Sequence, residues 1–91
     1  MYFVYLLQSK KDKKYYIDQT DDIDKRLKYH NEGKVKSTQS RRPFILIGYE
    51  EYKTRNEARY REYELKKSAW KRKKLISKFK NNNRYEKQNN K

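Results

Sequence analysis

The chain has 91 residues and a formal charge of +14, from 26 lysines and arginines against 12 aspartates and glutamates. That excess favours a polyanionic partner, above all nucleic acid, over a membrane surface, because no strongly apolar helix face accompanies the lysines. The absence of cysteine excludes disulfides and thiolate metal sites, and a single histidine, His30, excludes multi-histidine metal centres.

A chain of this length is expected to form one small domain that buries only about 60–65% of its unfolded surface. Residues 2–7, YFVYLL, are six consecutive apolar or aromatic residues and predict a strand buried on both faces. They are too few for a membrane span and lack the basic flank of a signal peptide, and the absence of cysteine fits an expected location in the reducing cytoplasm. The polar run 9–14, SKKDKK, predicts a hairpin turn, and 15–18, YYID, the returning strand. Alternation places Tyr5 on the face shared with Phe3 and Leu7, and Tyr16 with Asp18 on one face of the second strand. A helix follows, capped by Thr20 or Asp21, with Asp21, Asp22 and Asp24 at the positive end of its dipole. It ends near Gly33. Residues 34–42 read as a basic, hydroxyl-rich loop and 44–52 as a third strand. Residues 54–67 predict a helix opened by a Thr54–Glu57 capping box, and 68–80 a second helix capped by Ser68. The segment 81–91 is polar and is expected to be a disordered basic tail beyond a domain of residues 1–80. The order ββαβαα gives an α/β fold with a small three-stranded antiparallel or mixed sheet flanked by helices.

Three placements are not explained by solvation. Glu62 lies in a helical stripe with Ala58, Leu65 and Ala69, so it faces the core or a cleft. A carboxylate there needs a cation: a structural ion pair, such as one to Arg26, or a metal in a catalytic role. Arg26 and His30 are four apart on one helix face, either an exposed pair or a phosphate clamp. Tyr5 and Tyr16 lie on adjacent strands, either as core rings or with both hydroxyls in one polar cleft. Lys34, Lys36, Thr38, Arg41 and Arg42 in the loop, and Lys66, Lys67, Lys71 and Arg72 on the last helices, are candidate nucleic-acid contacts. Trp70 is suited to anchor the last helix or to stack on a base.

In this order these residues resemble the GIY-YIG nuclease superfamily, in particular its small single-domain bacterial branch and the nuclease domain at the start of UvrC. The motifs are VYL (4–6), YID (16–18), Arg26 to His30 followed by Asn31, and EARYRE (57–62), over about residues 1–80. The resemblance implies an endonuclease dependent on Mg2+ or Mn2+, acting on DNA in repair or processing, with branched or single-stranded DNA and RNA as candidate partners and a monomeric state. By position, Glu62 holds the metal, Arg26 stabilises the pentacoordinate phosphate, Tyr5 orients or deprotonates water, and Tyr16 and His30 assist. Asp18 stands where the family motif has glycine. This leaves a second reading, a catalytically weak or inactive DNA- or RNA-binding module on the same fold.

Overall fold

The run of apolar residues near the N-terminus puts β1 (Tyr2–Ser9) at the centre of the sheet. The computed structural model describes residues 1–89, the last eight by their backbone alone. In it, β1 pairs antiparallel with β2 (Tyr15–Thr20) on one side and with β3 (Phe44–Tyr52) on the other, so the sheet is antiparallel throughout. The helices are α1 (Ile23–Asn31), α2 (Arg55–Lys67) and α3 (Ala69–Asn89), and a short 3-10 turn (Gln39–Arg41) interrupts the basic loop. The expected order ββαβαα is the one observed. Helix α3 enters the segment 81–91; residues 90 and 91 lie outside the described residues. Among the described residues, no helix is long and apolar enough to cross a membrane.

Both faces of β1 are covered, which is why its sequence does not alternate. Val4 and Leu6 pack with Ile17, Ala58, Leu65, Leu75 and Phe79 beneath α2 and α3. Tyr5 and Leu7 pack on the opposite face with Phe44, Tyr16, Ile23 and Leu27, beneath α1. The register sets Tyr5 opposite Asp18 and Leu7 opposite Tyr16, so the two site tyrosines share the α1 face. On the other side Leu6 faces Gly48 but Leu7 faces Leu46, so Ile47 is a bulge residue. The bulge lets the all-apolar start of β3 serve both cores. Gly48 leaves room for Phe79: a Cβ there would lie 2.5 Å from the ring.

The caps explain the boundaries. Asp22, rather than Thr20 or Asp21, caps α1, its carboxylate accepting from the Lys25 N–H at 3.1 Å. The reason is that β2 continues to Thr20, whose hydroxyl accepts from the Asp22 N–H instead. Gly33 terminates α1 with φ of +79°. Thr54 and Glu57 form the expected capping box on α2. The Ser68 hydroxyl accepts from the Lys71 N–H and starts α3. Asn31 ties the end of α1 to β3, donating to the Phe44 carbonyl at 3.1 Å and accepting from its N–H at 2.6 Å.

Candidate active site

The deepest element of the site is a buried polar chain. The Tyr5 hydroxyl lies 3.1 Å from His30 Nε2, and His30 Nδ1 lies 2.8 Å from Thr38 Oγ1. All three residues are buried. The Val35 carbonyl, 3.3 Å from the Thr38 hydroxyl, is an acceptor for its one proton, an arrangement in which Thr38 accepts from Nδ1–H. That fixes the imidazole tautomer and leaves Nε2 as acceptor for the Tyr5 proton. Burial, aided by the Arg26 charge, lowers the His30 pKa, so the ring is neutral and able to take that proton near pH 7.

Thr38 therefore departs from its expected role as a nucleic-acid contact. It is fully buried because the loop folds back over α1 to satisfy His30. We expect Thr38→Val to reduce any activity that depends on His30 by about tenfold or more. It also leaves a buried N–H unpaired at a cost of about 1–3 kcal/mol in stability. Thr38→Ser should restore both rate and pH profile; a Thr38→Val protein with a parental profile would remove this role.

A second cluster surrounds Asp18. Its side chain is 17% exposed and accepts from Arg26 at 3.4 Å and from the Tyr16 hydroxyl at 3.3 Å. The residue lies in extended strand, outside the left-handed region, so glycine's freedom is not required here. Burial works against the Arg26 charge, but the neighbouring Tyr5 hydroxyl and Asp18 carboxylate outweigh it and raise its pKa. Burial and, next to it, the Asp18 carboxylate push the hydroxyls of Tyr5 and Tyr16 up from the usual tyrosine range.

Glu62 occupies the half-buried position its spacing implies, 20% exposed, above the buried Ala58 and Leu65. Ala69 does not continue the stripe; it is exposed because α2 ends at Lys67 and the chain turns at Ser68. The partner of Glu62 is Lys66, at 2.8 Å, rather than Arg26, which Asp18 holds. The Lys66 ammonium sits 5.9 Å from the Tyr16 ring centre. Burial works against its charge, but Glu62, with Asp18 and Tyr16, raises its pKa. Contacts thus link His30 to both Tyr5 and Tyr16, Tyr16 to Asp18 and Lys66, Asp18 to Arg26, and Lys66 to Glu62. Among the described residues, no three histidine, cysteine, aspartate or glutamate side chains form a cation-binding group. One carboxylate completed by phosphate oxygens and water is still a normal magnesium donor set, and Glu62 fits it.

The remaining basic candidates divide. Lys34, Lys36, Arg42 and Lys67 are exposed. Arg41 is held by Asp12 at 2.8 Å, and the hydrogen bond with Arg41 lowers the Asp12 carboxyl to about 2. Arg72 donates to the carbonyls of Leu65 and Lys66 at the end of α2, and Lys71 pairs with Glu64 at 2.7 Å. Trp70 does not anchor α3; it is 65% exposed. Lys66 was foreseeable as more than a phosphate contact, since it lies four residues after Glu62.

The family model of the GIY-YIG catalytic domain matches residues 1–84, and the chain belongs to that family, a nuclease family. The chain is similar to the UPF0213 protein YazA of Bacillus subtilis (strain 168), 40% identical over 84 residues, 91% of this chain and 84% of that one. It is 41% identical over 78 residues to the UPF0213 protein SSP2268 of Staphylococcus saprophyticus, 84% of this chain and 94% of that one. A solution NMR structure of the UPF0213 protein BH0048 from Bacillus halodurans superposes with a TM-score of 0.54 at 39% identity, covering 85% of this chain and 84% of that one.

Proposed function

We propose that this cleft hydrolyses DNA phosphodiester bonds, with Mg2+ or Mn2+ held on Glu62. The observation that carries the reading is the linked set of contacts from His30 to Glu62, which gathers a proton acceptor, a phosphate clamp and a metal-binding carboxylate. Arg26 and the Tyr16 hydroxyl are the donors for the scissile phosphate and stabilise its added negative charge. Tyr5 takes a proton from the attacking water as its own hydroxyl proton passes to His30 Nε2. This relay avoids a free phenolate, which the raised Tyr5 pKa disfavours. A bound divalent ion supplies Lewis-acid polarisation of the phosphate and a more acidic water.

Charge also orients the ligand. Asp21, Asp22, Asp24 and Glu51 gather with Phe3 and Tyr49 at the β3 side of α1 and repel a polyanion. Lys34, Lys36, Arg42 and Lys67 are exposed and offer the attractive surface, joined by Lys66, Lys71 and Arg72 once their ties to Glu62, Glu64 and the α2 carbonyls open. Arg41 contributes once its tie to Asp12 opens. We assign the monomer to DNA repair or processing in the cytoplasm, with branched or single-stranded DNA as candidate substrates and RNA as a second polymer.

Purified protein with Mn2+ or Mg2+ is expected to cut one or more of branched, nicked and single-stranded DNA, and EDTA to stop it. Absence of cutting on every substrate sinks the hydrolytic reading. A second reading rests on Asp18, whose carboxylate already takes the donors meant for phosphate: a module that binds nucleic acid and turns over slowly or not at all. Salt-sensitive binding without cleavage is its signature.

A further inference from the structure

The outer face of α2 and the start of α3 carry three large aromatic side chains that the cleft does not use. Tyr60, Tyr63 and Trp70 are 65%, 58% and 65% exposed, and none joins either apolar core. Lysines are interleaved with them. Lys67 Nζ lies 5.4 Å from the centre of the Tyr63 ring, and Lys74 Nζ 4.6 Å from that of Trp70. A shallow cavity of about 420 Å³ includes Tyr60, Tyr63 and Lys67, and another of about 370 Å³ includes Trp70 and Lys74. Lys71 borders both, so the two form one strip. The acidic groups bordering them are already paired, Glu64 with Lys71 and Glu50 with Arg61.

Exposed rings between ammonium groups match a single-stranded polyanion, whose bases offer flat apolar faces and whose backbone offers phosphates. A membrane fits poorly, because the neighbouring aliphatic residues Leu75 and Ile76 are buried or half-buried and offer nothing to insert. A base-paired duplex hides its base faces. The strip adjoins the cleft: Tyr63 and Lys67 each follow Glu62 and Lys66 by one residue, about 100° around α2. A strand leaving Lys66 reaches Lys67 without crossing the sheet.

We propose that Tyr60, Tyr63 and Trp70, with Lys67, Lys71 and Lys74, form a stacking surface for single-stranded nucleic acid, distinct from the hydrolytic cleft. The surface extends the preceding reading but does not need the cleft to cut. Trp70 is the only tryptophan, so its fluorescence reports the contact directly. Titration of the full chain in EDTA with oligo-dT or oligo-U should quench it saturably, and a blunt duplex of equal length should quench far less. The tighter oligonucleotide names the polymer. Tyr60→Ala/Tyr63→Ala should weaken single-strand affinity about tenfold or more at constant salt, with the fold intact by circular dichroism. Glu62→Gln, which is expected to stop cutting, should not weaken the quenching, and this separates the surface from the cutting activity. No quenching, equal quenching by blunt duplex, or parental affinity in the double variant overturns the proposal. So does a protein-concentration-dependent Trp70 shift without nucleic acid, which makes a second copy the occupant.

Discussion

Glu62→Gln is expected to lower metal-dependent cleavage about a thousandfold while leaving the thermal midpoint close to that of the parent. The rate effect follows from a donor set with one protein carboxylate. Losing its charge removes the hold on the divalent ion, and with it electrostatic stabilisation of several kcal/mol. About 4 kcal/mol corresponds to about a thousandfold. The stability effect is small because the only ion pair lost, to Lys66, is partly solvated and spaced i,i+4, a class contributing about 0.3–0.5 kcal/mol. Ala58 and Leu65 below it remain packed. The expected result therefore separates chemistry from folding: gel-based cleavage falls, and circular dichroism melts coincide. DNA binding in EDTA should hold or tighten, since a negative charge has left the cleft. Excess Mn2+ should recover part of the rate, because the amide oxygen is a weaker ligand of similar shape. Parental cleavage in Glu62→Gln would place the metal elsewhere.

Lys66 bears on the same experiment. Its ammonium sits on the carboxylate that a metal would take, so ion binding has to displace it. The lysine is then free to meet phosphate beside Tyr16, whose ring it already approaches.

Much of this site was legible because its residues lie at short, periodic separations. Alternation put Tyr16 and Asp18 on one face of β2 and Tyr5 on the Phe3–Leu7 face of β1, and the antiparallel register brought the two sets together with Tyr5 opposite Asp18. The capping box at Thr54 and the stop at Gly33 were equally local signals. Thr38 was not legible. Its loop is basic and hydroxyl-rich, which reads as surface, and only the need of a buried His30 ring for a second partner hints otherwise. Which hydroxyl answers that need depends on how the loop folds, eight residues away. The bulge at Ile47 was hidden because β3 begins apolar on both faces, leaving no alternation to slip. Ala69 was misread as part of the Glu62 stripe because that stripe assumed one straight helical phase. The break at Ser68 turns it outward.

Asp18→Asn is expected to raise the cleavage rate near neutral pH by about 10–100-fold. Asp18 acts on the proposed chemistry in three ways, all of the same sign. Its carboxylate occupies Arg26 and the Tyr16 hydroxyl, so a phosphate has to displace it. It repels the phosphate itself: like charges 4 Å apart cost about 4 kcal/mol at an effective dielectric of 20, and partial exposure and salt reduce that figure. A residual penalty of about 1.4–2.7 kcal/mol accounts for the expected rate gain. Third, it raises the pKa values of Tyr5 and Tyr16, so the proton relay from Tyr5 is harder to start. Asp18 also raises the His30 pKa, so removing it makes the imidazole a somewhat weaker proton acceptor, which opposes the gain in part, while keeping it neutral at lower pH. Both shifts move the rising limb of the pH–rate profile toward acid. The asparagine keeps the shape and a hydrogen-bond acceptor, so the strand pairing with Tyr5 should survive. DNA binding should also tighten and grow more salt-dependent by about one unit on a log–log plot, as Arg26 becomes free for phosphate. A gain in binding without turnover, in Asp18→Asn and Asp18→Gly alike, would favour the non-catalytic module. A loss of rate with an intact fold would instead mean that Asp18 serves the reaction beside Glu62, and that the two carboxylates share one cation.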